Sequence, residues 1–177
     1  KRVFSINFKK VWESIENSKF KFSISIIGNS SFERQPRENL DLPDLIENIW
    51  VNQGEILPEI FEYGVDSDNN GVISASEISS FMSTQGSSGD LNNDGISNLR
   101  DALLQGSPFI DGVDNDDNGY TDDIIGWDAS GELGTPDNDP FPKDGVANDS
   151  DWAHGTHVAG ILAAVTDNNV GMASTMF

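Results

Sequence analysis

The stretch DSDNNGVISASE, residues 66–77, places oxygen-bearing side chains at closely spaced positions around a glycine. Acidic or amide residues occupy positions 1, 3 and 5, the glycine is at position 6, and a glutamate is at position 12. Ca²⁺ binds six to eight hard oxygens, and this spacing wraps side chains and the backbone carbonyl of position 7 around one ion. The stretch therefore predicts a calcium site, with Asp66, Asp68, Asn70, Val72 and Glu77 as its ligands.

The same pattern recurs twice, at intervals of 24 residues, as DLNNDGISNLRD (residues 90–101) and DNDDNGYTDDII (residues 114–125). We call the three stretches the first, second and third loops. The first matches an EF-hand loop along its full length, and the second, with aspartate at position 12, resembles dockerin-type calcium repeats. The third has Ile125 at position 12, so other acids of the loop are its predicted ligands. The further candidates are Asp90, Asn92, Asp94, Asp101, Asp114, Asp116, Asn118, Asp122 and Asp123.

Clusters of Asp, Asn and Gly also form ordinary turns, because their side chains and backbone favour turn conformations. Turn chemistry, however, does not require carboxylates at positions 1, 3 and 12, nor three such clusters at a fixed repeat. The acidic charge is also concentrated here, since residues 62–123 hold 13 Asp and Glu against one Arg. Such a segment repels itself unless cations neutralise it, which favours the calcium interpretation.

The charge of the chain limits its partners. The formal net charge is −20, and residues 1–40 are basic whereas residues 41–177 carry the acidic excess. An acidic surface repels phosphate backbones and anionic lipids, so nucleic acid and membrane surfaces are poor partners. There is no cysteine, which excludes disulfides and thiolate metal sites. No apolar run reaches the length of a membrane span.

Hydrophobic periodicity and capping signals predict the local structure. Residues 11–19 form a short helix and residues 20–27 a half-buried strand. Ser74 and Glu77 form a capping box that opens a helix ending before Gly86. Ser97 caps a second helix that ends before Gly106. Residues 129–151 are a long surface loop, and residues 158–165 form a helix whose small residues allow close packing against a sheet.

Both histidines of the chain lie in SDWAHGTHVAGILAA, residues 150–164. The string HGTHVAGILAAV resembles the histidine motif of the subtilisin-like serine peptidases (subtilases). The resemblance implies that His154 is the general base and that His157 is structural. NIWVNQGEI (48–56), GVDNDDNGYTDDIIGWD (112–128) and DNDP (137–140) are similar to consecutive subtilase segments. So are DLPDL (41–45) and NNVGMA (168–173).

The resemblance implies an α/β fold, here an incomplete, mostly parallel subtilisin-like sheet with helices on both faces. Residues 41–57 and 110–177 are then the N-terminal part of a subtilase catalytic domain. Residues 58–109 are an EF-hand-like calcium-binding insertion, and residues 1–40 are a separate N-terminal segment. The implied function is calcium-stabilised serine endopeptidase activity on protein or peptide substrates, in an extracellular or cell-surface setting.

Two members of the family's Asp-His-Ser triad have no counterpart in the sequence. Gly28-Asn29-Ser30 stands where the subtilase Asp is expected, and no nucleophile motif follows His154. We therefore expect this chain alone to be inactive, as a partial or altered gene product. The alternative is a calcium-binding interaction module or inactive pseudo-peptidase, which the calcium loops without triad partners favour.

Overall fold

The computed structural model describes residues 44–132, 135–141, 154–171 and Ser174. The predicted helix at residues 11–19 and the predicted strand at 20–27 lie outside the described residues, as does the whole segment 1–40.

Short helices and a small hairpin make up the described structure, joined by long irregular loops. A 3₁₀ turn covers Ile46–Asn48, helix α1 covers Pro58–Glu62 and helix α2 covers Ala75–Thr84. Two more 3₁₀ turns cover Gly86–Ser88 and Asp101–Leu103. Strands β1 (Asp128–Glu132) and β2 (Thr135–Asp137) are followed by helix α3 (His154–Ala163). The chain therefore has mixed α and β structure.

Helix α2 begins where the capping box predicts. The Ser74 hydroxyl accepts a hydrogen bond from the backbone N–H of Glu77 at 3.3 Å, and the Glu77 carboxylate accepts one from the Ser74 N–H at 3.0 Å. These bonds satisfy two backbone donors that a helix N-terminus otherwise leaves free. The apolar side of the helix buries Ala75, Ile78 and Met82, so the prediction of this helix is confirmed.

The helix predicted after Ser97 is wrong in extent. Only a 3₁₀ turn forms, at Asp101–Leu103, because the backbone becomes extended at Leu104, where ψ is 150°. The Asp101 carboxylate accepts hydrogen bonds from the N–H groups of Leu91, Asn92 and Asn98. The Ser97 hydroxyl is buried and has no hydrogen-bond partner among the described residues.

The predicted surface loop at residues 129–151 is also wrong in part, because β1 and β2 pair within it. The pair is antiparallel and joins Asp128 to Asp137 and Glu132 to Thr135. This hairpin is the only sheet among the described residues. The parallel subtilisin-like sheet stays a prediction.

One hydrophobic cluster joins the loops and helices. Its members come both from the predicted insertion and from the segments on either side, so these parts of the chain share a core. The buried members are Val51, Ile56, Ile60, Val65, Ile73, Ala75, Ile78, Met82, Leu99, Ala102, Leu103, Phe109, Ile124 and Phe141. Burying these side chains supplies the main stabilisation of a structure with so little regular hydrogen bonding. The division into an insertion and a catalytic part stays a prediction.

Helix α3 is attached to the chain segment that leads into the loops. Asn48 donates a side-chain hydrogen bond to the carbonyl of Ala163 at 2.9 Å, and the N–H of Val165 donates to the carbonyl of Asp44 at 2.7 Å. The expected close packing of Gly160 is absent from the described residues, since a methyl group at Gly160 would meet no atom within 4 Å. Ile161 beside it is 51% exposed. None of the described helices is long and apolar enough to cross a membrane.

Candidate metal centres and the histidine helix

The three loops share one pattern of hydrogen bonds. In each, the N–H of position 5 donates to the side-chain oxygens of positions 1 and 3, the glycine N–H donates to position 1, and the N–H of position 7 donates to position 5. These distances lie between 2.7 and 3.0 Å in all three loops. The predicted equivalence of the three stretches is therefore confirmed for the backbone.

Positive φ angles recur at the same two positions of each loop. Position 4 has φ between 57° and 59°, and the glycine at position 6 has φ between 82° and 95°. Glycine adopts such angles without steric cost, and Asn or Asp tolerates the left-handed region better than other residues do. The six residues are Asn69, Gly71, Asn93, Gly95, Asp117 and Gly119. This conformation lets the side-chain oxygens of positions 1 and 3 converge on the N–H of position 5 in each loop.

A carboxylate closes the first and second loops at position 12. In the first, Glu77 accepts hydrogen bonds from the N–H groups of Ser67 and Ser74, at positions 2 and 9. In the second, Asp101 accepts from the corresponding N–H groups of Leu91 and Asn98. The shorter aspartate side chain thus reaches the same two backbone groups as glutamate does.

The third loop receives its closing carboxylate from a distant part of the chain. Glu55 accepts hydrogen bonds from the N–H of Asn115 at 2.8 Å and from the N–H of Asp122 at 3.1 Å. These donors are again positions 2 and 9 of the loop. The Glu55 side chain is 1% exposed. Its carboxylate makes the contacts that the position 12 carboxylate makes in the other two loops, where the third loop has Ile125.

Glu55 was not among the residues that the loop pattern predicts. Two signals in the sequence point to it: the third loop lacks a carboxylate at position 12, and NIWVNQGEI is similar to a segment that accompanies this loop in subtilases. The loop pattern alone cannot find it, because 59 residues separate Glu55 from the start of the loop at Asp114.

Asp122 and Asp123, which the sequence offers as ligands of the third loop, have other partners. The Asp122 carboxylate accepts hydrogen bonds from the N–H groups of Asp111 and Gly112. Asp123 accepts from the side-chain amides of Asn52 and Asn118, at 2.7 Å for the first. The assignment of these two aspartates as metal ligands stays a prediction.

Two groups of three carboxylates among the described residues bring their oxygens within 4.8 Å of one another. One comprises Glu55, Asp114 and Asp116, and the other comprises Asp66, Asp68 and Glu77. Three converging carboxylates suit a hard divalent cation, which prefers charged oxygen ligands. The second loop also offers three carboxylates, because its asparagine at position 3 is offset by an aspartate at position 5, but they do not form a third such group among the described residues.

Crowding of negative charge at the third loop changes the proton affinity of its acids. Burial raises the pKa of Glu55, and the nearby charges of Asp123 and Asp116 raise it further, whereas hydrogen bonds from backbone N–H groups oppose the shift. Burial also raises the pKa of Asp123, again with help from Asp116 and Asp114. A bound cation would offset this repulsion and favour the ionised acids.

Glu77 behaves in the opposite way. Burial on its own would raise its pKa, but hydrogen bonds donated by Ser74 and Ser67 stabilise the charged carboxylate and lower its pKa to about 2, from 4.5. Its contribution to the free energy of unfolding is therefore present in full above pH 4.5 and is lost as the pH falls toward 2.

In chelator, we expect Glu77→Gln to cost about 2 kcal/mol at pH 7 and less than half of that at pH 3, because the carboxyl of the unfolded chain is then protonated and must lose its proton on folding. Urea unfolding of both proteins across this pH range measures the difference. Glu62→Gln, which changes an exposed carboxylate at the end of α1, is the matched control. A cost of Glu77→Gln that stays constant with pH would contradict the stated role of the ionised carboxylate.

Helix α3 begins at His154, and His157 follows within its first turn. The C-terminal end of α3 is attached to residues 44–48, and this segment runs directly into Val51, Asn52 and Glu55. The backbone thus connects the histidine helix to the loops by a short path. The catalytic role of His154 stays a prediction.

Comparison with known proteins gives a partial match. The chain is 38% identical over 61 residues to subtilisin-like protease 1 of Plasmodium falciparum, and equally so to that of Plasmodium vivax. The match covers 34% of this chain but only 7% and 8% of those two proteins. No family model matches the chain, and no solved structure does. The similarity indicates, at most, a relationship to subtilase-type peptidases.

Proposed function

We propose that this chain is part of a calcium-stabilised serine endopeptidase of the subtilase type. The observation that carries the proposal is the similarity to subtilisin-like protease 1, joined to a helix that begins at the histidine of HGTHVAG. In this proposal, His154 moves the proton between the nucleophilic serine and the leaving amine of a protein or peptide substrate.

The loops would serve the peptidase by holding α3 in place. Calcium, when bound, supplies the positive charge that lets the acids of each loop converge. Glu55 is hydrogen-bonded to the third loop. Asp44 and Asn48, in the same continuous segment of the chain, are hydrogen-bonded to residues at the C-terminal end of α3. Fixing both contacts limits the positions open to His154, and such preorganisation raises the rate of a reaction that requires aligned groups.

Peptide hydrolysis tests the peptidase proposal directly. The protein that carries this sequence is assayed with a fluorogenic peptide, with and without a serine-directed fluorophosphonate. Calcium-dependent hydrolysis that the fluorophosphonate abolishes is the expected result. Hydrolysis that resists the fluorophosphonate would contradict a serine mechanism.

The second candidate is a calcium-binding interaction module or inactive pseudo-peptidase. The observation that favours it is the shared geometry of the three loops. In each loop, a buried or half-buried carboxylate accepts hydrogen bonds from the N–H groups of positions 2 and 9. Calcium binding without any hydrolysis would favour this function over the peptidase.

Removing calcium is expected to lower the melting temperature under either function. Binding to the folded state alone stabilises by RT ln(1 + [L]/Kd), which is about 2.7 kcal/mol at a hundredfold excess over Kd. For a domain of this size that corresponds to a change of roughly 5–10 °C. Thermal unfolding monitored by circular dichroism in calcium and in EDTA measures it, with Mg²⁺ added to EDTA-treated protein as a control. An unchanged melting temperature would count against all three loops.

The proposed setting is extracellular or at the cell surface. EF-hand-type sites of extracellular proteins have Kd values of about 10⁻⁴–10⁻³ M. The proposed partners are calcium ions and a protein or peptide substrate, not nucleic acid.

A further inference from the structure

The turn at residues 52–55 contacts two of the three loops. Within it, the Asn52 carbonyl accepts a hydrogen bond from the N–H of Glu55 at 3.2 Å, and the Asn52 side chain accepts one from the N–H of Gly54 at 3.1 Å. These bonds make the four residues one compact unit, so a displacement of one end of the turn also displaces the other end. We call this unit the 52–55 turn.

The third loop packs closely on the 52–55 turn. Glu55 closes the loop, and the Asn52 amide donates to Asp116 at 3.0 Å and to Asp123 at 2.7 Å. Gly54 lies between them, and a methyl group there would come within 2.5 Å of the Asp116 side chain. The turn therefore cannot shift without moving side chains of the third loop.

The first loop is held by the remaining residue of the turn, Gln53. Its side-chain oxygen accepts a hydrogen bond from the N–H of Ile73 at 2.9 Å, and its side-chain nitrogen donates to the Ile73 carbonyl at 2.8 Å. A single amide thus fixes both backbone groups of position 8 of the first loop. Among the described residues, no comparable side-chain amide bonds Ser97 or Thr121 at this position of the other two loops.

The bond to the Ile73 N–H acts on the proposed calcium ligand beside it. In a trans peptide the N–H of Ile73 and the carbonyl of Val72 lie in one plane and point in opposite directions. Holding the N–H therefore orients the Val72 carbonyl, which is the position 7 ligand of the first loop. Accepting this hydrogen bond also polarises the peptide unit and makes the carbonyl oxygen more negative.

We propose that Gln53 is a positioning residue that couples cation binding in the first loop to cation binding in the third. It binds no ion itself, and the proposal rests on the calcium binding proposed above. Occupation of the first loop fixes the Val72–Ile73 peptide, hence Gln53, and through the 52–55 turn it fixes Asn52 and Glu55. The second cation then binds to a site already ordered, which produces positive cooperativity.

Terbium luminescence tests the coupling, because Tb³⁺ is a hard cation that takes oxygen ligands. Tyr120 is position 7 of the third loop, and its ring lies 5.2 Å from that of Trp127, so excitation of tryptophan reports on this loop. Loss of the signal in Asp114→Asn assigns it to the third loop. The Tb³⁺ affinity of the third loop is then measured with and without Asp68→Asn, which weakens the first loop.

We expect Asp68→Asn to weaken Tb³⁺ binding at the third loop about fivefold or more. Gln53→Met keeps the side-chain length but removes both hydrogen bonds. In this background, Asp68→Asn should alter the Tb³⁺ affinity of the third loop by less than about twofold. Asp94→Asn in the second loop removes the same charge without touching the 52–55 turn and is the matched control. It should have little effect in either background.

An equal effect of Asp68→Asn in both backgrounds, or no effect beyond that of Asp94→Asn, would overturn the coupling while leaving the calcium sites intact. If Gln53→Met fails to fold by circular dichroism, the comparison of Asp68→Asn with Asp94→Asn decides alone. Wild-type protein that binds no Tb³⁺ would overturn the calcium proposal and the coupling together.

Discussion

Replacing His154 by alanine is expected to lower kcat for peptide hydrolysis by about 10⁴- to 10⁶-fold, if the protein carrying this sequence is the proposed peptidase. This range is the loss measured on removing members of the triad in subtilisin itself. Without the base, the serine hydroxyl keeps its proton and attacks the peptide carbonyl very slowly. The expected change therefore falls on kcat, while KM stays within a few-fold because the substrate contacts remain.

His157→Ala is the matched control, since His157 lies in the same helix turn and is predicted to be structural. It should lower stability by about 1 kcal/mol, as an ordinary single substitution does, and leave kcat within about tenfold. Circular dichroism and thermal unfolding of both variants separate loss of the base from loss of the fold. Should His157→Ala abolish hydrolysis while His154→Ala retains it, the roles of the two histidines would be reversed.

The local backbone conformation of the loops could be predicted largely from the sequence. The glycine at position 6 and the capping box around Ser74 and Glu77 depend on residues within twelve positions of one another, and each adopts the expected conformation. The same kind of rule failed after Ser97. There, the backbone becomes extended at Leu104, and the predicted helix is limited to one 3₁₀ turn.

Contacts between distant segments could not be predicted in the same way. Neither Glu55 closing the third loop nor Gln53 holding Ile73 follows from any periodic pattern, because each depends on how the segment at residues 52–55 packs. The acids inside the third loop were the natural candidates, yet the backbone donors of Asn115 and Asp122 are satisfied from outside. A loop that lacks its last ligand is therefore a reason to search the rest of the chain for a buried carboxylate.

Glu55→Gln is expected to remove calcium binding from the third loop, with affinity falling about 100-fold or more. The substitution keeps the size of the side chain but removes one of three converging charges, and calcium affinity follows the number of charged ligands. The glutamine amide would also place a donor against the backbone N–H groups of Asn115 and Asp122, or leave one of them unsatisfied. Isothermal titration with calcium should report one site fewer than in wild type.

Glu59→Gln, an exposed residue in the first turn of α1, removes the same charge away from the loop and is the matched control. Its calcium affinities should stay within about twofold of wild type. Burial and, to a smaller extent, the charges of Asp123 and Asp116 raise the pKa of Glu55. In chelator, Glu55→Gln removes this buried charge, so the metal-free protein should lose less stability than the calcium-bound one. Equal losses in both states, with the number of bound ions unchanged, would mean that Glu55 only braces the backbone of the third loop.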